Sequence, residues 1–147
     1  MDMKTLLFSF EGRINRAKYW LTVLANAIVW IVVGILALIL MGVLGQGTGG
    51  MLAILFGVAG FGAAMWIGIA AGIKRLHDRE KSGWWLLVFF LVPGVLSGIG
   101  QAVGGIVQGV GALARLAISI WMIVELGCLK GTTGPNMYGP DPLPPAS

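Results

Sequence analysis

The stretch IKRLHDREKSGWW, residues 73–85, gathers the side chains of this chain best suited to chemistry. It holds the single histidine, His77, beside Asp78, with Ser82 four positions on. A serine, a histidine and an aspartate are the parts of an activated hydroxyl nucleophile. A His-Asp pair is also a fragment of the ligand set of metal-dependent phosphohydrolases, but those sites need further histidines. This chain has none to add, and one cysteine, Cys128, does not complete a zinc set. No glycine-rich phosphate loop precedes a lysine. Ser82, just before Gly83 and Trp84, reads as the N-cap of a following helix. Asp78 is expected to bond Arg75, Arg79 or nearby backbone. No catalytic residue, metal or cofactor is therefore assigned. An enzyme acting on lipid headgroups through His77 and Asp78 stays open as an alternative.

The elements that must position this knot of charge are apolar. Of 147 residues, 57% are hydrophobic and only 11% charged, with a mean hydropathy of +0.89. A soluble domain carries about 25% charged residues, so this chain cannot cover a water-facing surface. Leu21 to Leu44 contains no charge, and as a helix it measures about 36 Å, enough to cross a hydrocarbon core of about 30 Å. Met51 to Ile73 is a second such run, and Ser82 to Ala114 a third, too long for one upright crossing. Leu116 to Leu129 follows, broken only by Glu125. These runs do not alternate as barrel strands do, and uninterrupted apolar backbone in lipid becomes helix.

The predicted fold is all-α, a polytopic transmembrane helical bundle with an N-terminal interfacial segment. Residues 1–130 form one domain with spans at about 20–44, 51–73, 84–109 and 112–129. Residues 131–147 are a Gly/Pro-rich cytoplasmic tail, expected as turns and then disorder. Three spans is the alternative, if residues 94–114 re-enter or lie on the membrane instead of crossing.

Basic residues mark the cytoplasmic side. Lys4, Arg13, Arg16 and Lys18 precede the first span; Lys74, Arg75, Arg79 and Lys81 join the second to the third; Lys130 follows the last. With four spans only Arg115 lies toward the outer side, so both termini are expected inside. Tyr19 and Trp20, and Trp84 and Trp85, would sit at the inner headgroups. Anionic headgroups of that face are the expected partners of the basic residues. Nucleic acid is not, because the net charge is only +4.

Gly60, Ala64, Gly68 and Gly72 recur at intervals of four and form a small-residue stripe. It serves either packing within the chain or a face for a second copy or another membrane protein. Gln101 and Gln108 share a weakly polar face with several glycines; they either hydrogen-bond between helices or line a wet segment. Arg115 would reach outward if the turn lies near Gly111. Glu125, five residues from Lys130, is expected to pair with Arg75 or Arg79, or to serve as a proton or cation site.

Three pieces together resemble a known family: FEGRINRAKYW near the start, IKRLHDREKSGWW in the middle and GTTGPNMYGPDP near the end. The chain resembles the domain of unknown function 805 family of small bacterial inner-membrane proteins from Phe10 to Pro142. The family pattern falls on Gly12, Arg13, Arg16 and Trp20. It continues on Arg75, Leu76, His77, Asp78, Ser82, Gly83 and Trp84, then on Gly134, Asn136, Tyr138, Gly139, Asp141 and Pro142. The resemblance implies the bacterial inner membrane and no particular reaction. The function expected is a non-enzymatic membrane scaffold, assembly or envelope-stress component. A subunit of a small oligomeric transporter or channel using Gln101, Gln108 and Glu125 is a further alternative.

Overall fold

A computed structural model describes residues 3–143. Among them the architecture is all-α: α1 (Met3–Phe8), α2 (Arg16–Asp78), α3 (Trp85–Val103) and α4 (Gly105–Ile123), which ends in a π-helical turn, Val124–Cys128. Three helices are long and apolar enough to cross a membrane: α2, α3, and α4 with its π turn. The chain divides into two compact units.

The first unit comprises residues 1–9 and 20–71. Here α2 is not one rod. Gly45 breaks it with φ 77°, a left-handed backbone open to glycine at no steric cost. The two arms fold back on each other. A Cβ on Gly49 would overlap the Leu40 carbonyl, so the return needs a glycine there. Further along the arms, a Cβ on Gly60 would lie 3.0 Å from Val33 Cγ2, and one on Gly68 would lie 3.8 Å from Asn26 Nδ2. Trp30 and Phe61 meet with ring centroids 6.3 Å apart. The small-residue stripe thus lets the two arms of α2 approach closely, where lipid supplies no hydrophobic drive. Ala64 on the same stripe is buried. Trp66 Nε1 donates to the Phe8 carbonyl at 3.3 Å, tying down α1.

The second unit comprises residues 10–19 and 72–147. α3 and α4 form a hairpin closed by Gly104 and Gly105, both with positive φ (72° and 56°). The turn therefore falls well before residues 109–112, where the expected span limits put it. Two adjacent glycines that both accept left-handed backbone turn the chain more sharply than the single glycines after them. Gly111 packs on α3, its Cβ position 3.2 Å from the Leu96 carbonyl oxygen. Trp121 meets Trp85 and Phe89 edge-on, at 5.5 and 5.2 Å between centroids. Gly72, last of the stripe, faces Leu86 of α3.

Gln101 donates to the Ser97 carbonyl of its own helix at 3.3 Å, not to a neighbouring one. Ser82 is not the N-cap of α3. That position belongs to Trp84, and the Ser82 hydroxyl accepts its N–H at 3.4 Å in the turn before the helix.

Candidate functional site

The charged end of the second unit is built from the segment 10–19, the last turns of α2 with the loop after it, and the chain beyond α4. Each helix end leaves four carbonyls or four N–H groups without partners. At the end of α4 the carbonyls are met by arginines. Arg75 donates through Nε to Leu126 O at 2.7 Å and through Nη2 to Leu129 O. Arg16 donates to Cys128 O at 2.9 Å, and Arg79 to Lys130 O at 2.6 Å. A cation at a helix C-terminus also opposes the negative end of the macrodipole.

A fourth arginine continues the series into the tail. Arg13 donates through Nη1 to Gly134 O at 2.7 Å and Gly139 O at 3.2 Å, and through Nη2 to Thr132 O at 2.6 Å and Thr132 Oγ1 at 3.1 Å. Its Nε donates to Asp78 Oδ1 at 3.1 Å. The planar five-donor fork of arginine suits this; a lysine ammonium would not reach so many acceptors. Four arginines thus hold the main chain from residue 126 to 139.

Asp78 is the anion at the centre. It takes Arg13 on one oxygen and Arg75 Nη1 on the other, and all three residues are buried. Its own carbonyl accepts from Thr132 N at 2.8 Å. Gly131 lies so close that a Cβ there would overlap the carboxylate. Asp78 bonds Arg75, as expected from the sequence, and Arg13, which it did not suggest; its bonds do not include Arg79.

The tail closes over this centre. Asn136 donates to the His77 carbonyl and to Thr132 Oγ1, both at 2.9 Å, and its backbone pairs with Gly139. Tyr138 stacks on His77 with centroids 3.9 Å apart and planes 4° from parallel. His77 Nδ1 lies 3.3 Å from the Gly12 carbonyl. Asp141 receives the N–H groups of Leu143 at 2.9 Å and Gly134 at 2.7 Å, which hold its carboxyl below the usual range. So the tail up to residue 143 is not loose. The part of the expected disorder that falls on residues 144–147 lies outside the described residues.

Glu125, in the π turn, is buried and lies 3.1 Å from both Arg79 Nε and Lys81 Nζ. Arg79 is one of the two partners the sequence offered; Lys81 was not foreseen. Lys81 also sits over the Trp85 ring. Trp20 and Trp84 are exposed, as suits rings at a headgroup boundary.

A groove of about 840 Å³ opens beside the network, lined by Asn15, Arg16, Asp78, Lys130, Thr132 and Asp141 among others. Among the described residues no three histidine, cysteine or acidic side chains gather as a metal site would require. Ser82 has no contact with His77 of the kind a nucleophile needs: its hydroxyl faces the Trp84 N–H. Thr132 and Gly131 are the residues sequence reasoning passed over. The only trace of them was their place in the third motif piece.

At 32% identity over 154 aligned positions, the chain is similar to the uncharacterized protein YiiR of Escherichia coli K12, covering 96% of this chain and 90% of that one. It is similar to the inner membrane proteins YhaH (32%, covering 90% of this chain and 86% of YhaH) and YhaI (33%, 90% and 85%) of the same organism. No solved structure matches it. The model of the DUF805 family, described as a protein of unknown function, matches residues 7–140, which takes in the first two motif pieces, the third as far as Pro140 and the whole arginine network, and the chain belongs to that family.

Proposed function

We propose that this protein is a non-enzymatic scaffold or assembly component of the inner membrane, with its N-terminal segment, charged loop and tail all on the cytoplasmic side. The observation that carries the reading is how the side chains suited to chemistry are used. Asp78 is consumed by two arginines, and His77 is half-buried with Tyr138 stacked on its ring and the Gly12 carbonyl at its Nδ1. A general base or nucleophile needs an open approach to substrate; these groups hold backbone together.

Topology supports the same reading. Ile14 N–H donates to the Lys74 carbonyl at 3.4 Å, so the two ends of α2 meet. A helix of that length whose ends meet has gone out and come back. If the α3–α4 hairpin does the same, four crossings would bring the tail to the side where the chain began. That side would then carry nine of the ten basic residues, as a cytoplasmic face does. Exposed Lys130 and its neighbours there suit anionic headgroups.

Capture of the tagged full-length chain from native membranes after cross-linking tests the scaffold reading. A reproducible membrane-protein partner is expected; a chain recovered alone overturns it. Substituting His77→Ala is expected to leave membrane lipid composition unchanged, and an altered composition would favour the headgroup enzyme. Reporters fused at Lys81 and after Ser147 should both be active on the cytoplasmic side.

A further inference from the structure

Arg115 stands where no charge should be left to itself. It lies ten residues into α4 from the Gly104–Gly105 turn, about 15 Å along the axis. α3 measures about 28 Å from Trp85 to Val103, close to the thickness of a hydrocarbon core. Arg115 is therefore near mid-depth, not at the outer boundary. Its guanidinium leans toward that boundary and stops short of it. Nη1 donates to Ser97 Oγ at 3.1 Å, and Ser97 is itself six residues, about 9 Å, short of the end of α3.

Ser97 takes one of five N–H donors. Gln101, Gln108 and Arg115 are exposed around a hollow of about 190 Å³ that Leu96, Gly100 and Ala112 complete. In lipid such donors must be covered. The acceptor this face asks for is an anion at the same depth. Among the described residues this chain does not hold one to lend. Asp78 and Glu125 are paired with arginines and lysine at the charged end, and Glu11, Glu80 and Asp141 belong to that end too. A second copy inserted the same way would present its carboxylates at the same wrong level.

We propose that the face formed by Ser97, Gln101, Gln108 and Arg115 is an intramembrane docking surface for a transmembrane helix of a different protein that carries a carboxylate near mid-bilayer. The guanidinium gives that carboxylate a bidentate partner, and the two glutamines give its flanking polar groups hydrogen bonds. The proposal deepens the scaffold reading by stating the chemistry of the partner, and its test does not depend on finding the native one.

The purified full-length protein is reconstituted in phosphatidylcholine vesicles with a labelled single-span leucine-alanine peptide bearing one central Glu. The comparison peptide has Gln at that place. Energy transfer is expected to report at least fivefold tighter association of the Glu peptide. Arg115→Leu should reduce the preference to less than twofold, Arg115→Lys should keep part of it, and moving the Glu seven residues toward the peptide end should abolish it. Unchanged protection of the tail from proteolysis shows that each variant is folded, and Gln108→Leu provides a second, milder lesion of the face. Equal binding of the two peptides, or a preference that survives Arg115→Leu, overturns the proposal. So does loss of the preference when phosphatidylglycerol is added, which assigns the face to a headgroup phosphate. Self-association broken by Gln108→Trp overturns it as well, in favour of a second copy. Failure here with a partner captured from native membranes would leave the scaffold reading standing and remove only this face from it.

Discussion

Arg13 and Asp78 are 65 positions apart in the chain, and their side chains meet with Nε 3.1 Å from Oδ1. The pair joins the first motif piece to the second, and Arg13 goes on to bond three carbonyls of the third. What the three pieces have in common is therefore a knot of hydrogen bonds.

Removing the central anion should be the most damaging polar change in this chain. Asp78→Asn leaves Arg13 and Arg75 as neighbouring buried cations without their carboxylate. Breaking a buried pair by losing one partner costs about 3–5 kcal/mol. Thermal or denaturant unfolding in detergent is expected to show a loss of that size, with the tail released. A variant that unfolds with the parent would mean that the network contributes little.

Much of this was legible beforehand, and the reasons differ by element. The apolar runs had to be helices because lipid offers no partner to the backbone. The stripe Gly60, Ala64, Gly68 could be read because its period matches a helix face. The role of the tail could not be read. Arg13 recognises carbonyls at 132, 134 and 139, and a carbonyl is the same in every residue. The turn at Gly104–Gly105 was hidden because glycines are frequent from Gly94 to Gly111 and any of them could have made it. With the turn there, Arg115 lies ten residues beyond it, where a turn at Gly111 would have left four.

The stacked pair His77 and Tyr138 should govern how firmly the tail is docked rather than whether the protein folds. Stacked aromatic pairs contribute about 0.5–1.5 kcal/mol beyond burial. For Tyr138→Ala, amide exchange at Thr132 and Gly134 should quicken by roughly three- to tenfold, every 1.4 kcal/mol being tenfold. Tyr138→Phe keeps the ring and should exchange like the parent. Equal exchange in all three would show that the stacking holds nothing.

Glu125 tests a milder kind of ion pair. Its partners Arg79 and Lys81 keep 26% and 29% of their side chains exposed, so water screens both. Glu125→Gln should lower stability in detergent by about 1 kcal/mol, clearly less than Asp78→Asn. A loss as large as that of Asp78→Asn would show that the carboxylate is far more isolated from solvent than its partners suggest.

Glu80 offers a change expected to stabilise. It follows the C-cap of α2 with φ 59°, the one non-glycine residue with positive φ among those described. The bonds around it are those of a Schellman ending: Lys81 N–H to Leu76 O at 2.8 Å and Glu80 N–H to His77 O at 3.1 Å. That geometry places a left-handed residue where glycine is the usual choice, and an L side chain there costs about 1–2 kcal/mol. Glu80 is exposed and has no ion pair among the described residues, so its side chain does little to offset the strain. Glu80→Gly should therefore raise stability by up to about 1 kcal/mol, since part of the relief is returned as unfolded-chain entropy. Glu80→Val, with a branched Cβ, should lower it. If both variants unfold at the parent's midpoint, the loop does not hold this left-handed turn in the membrane-bound protein, and the path from His77 to Ser82 must be different.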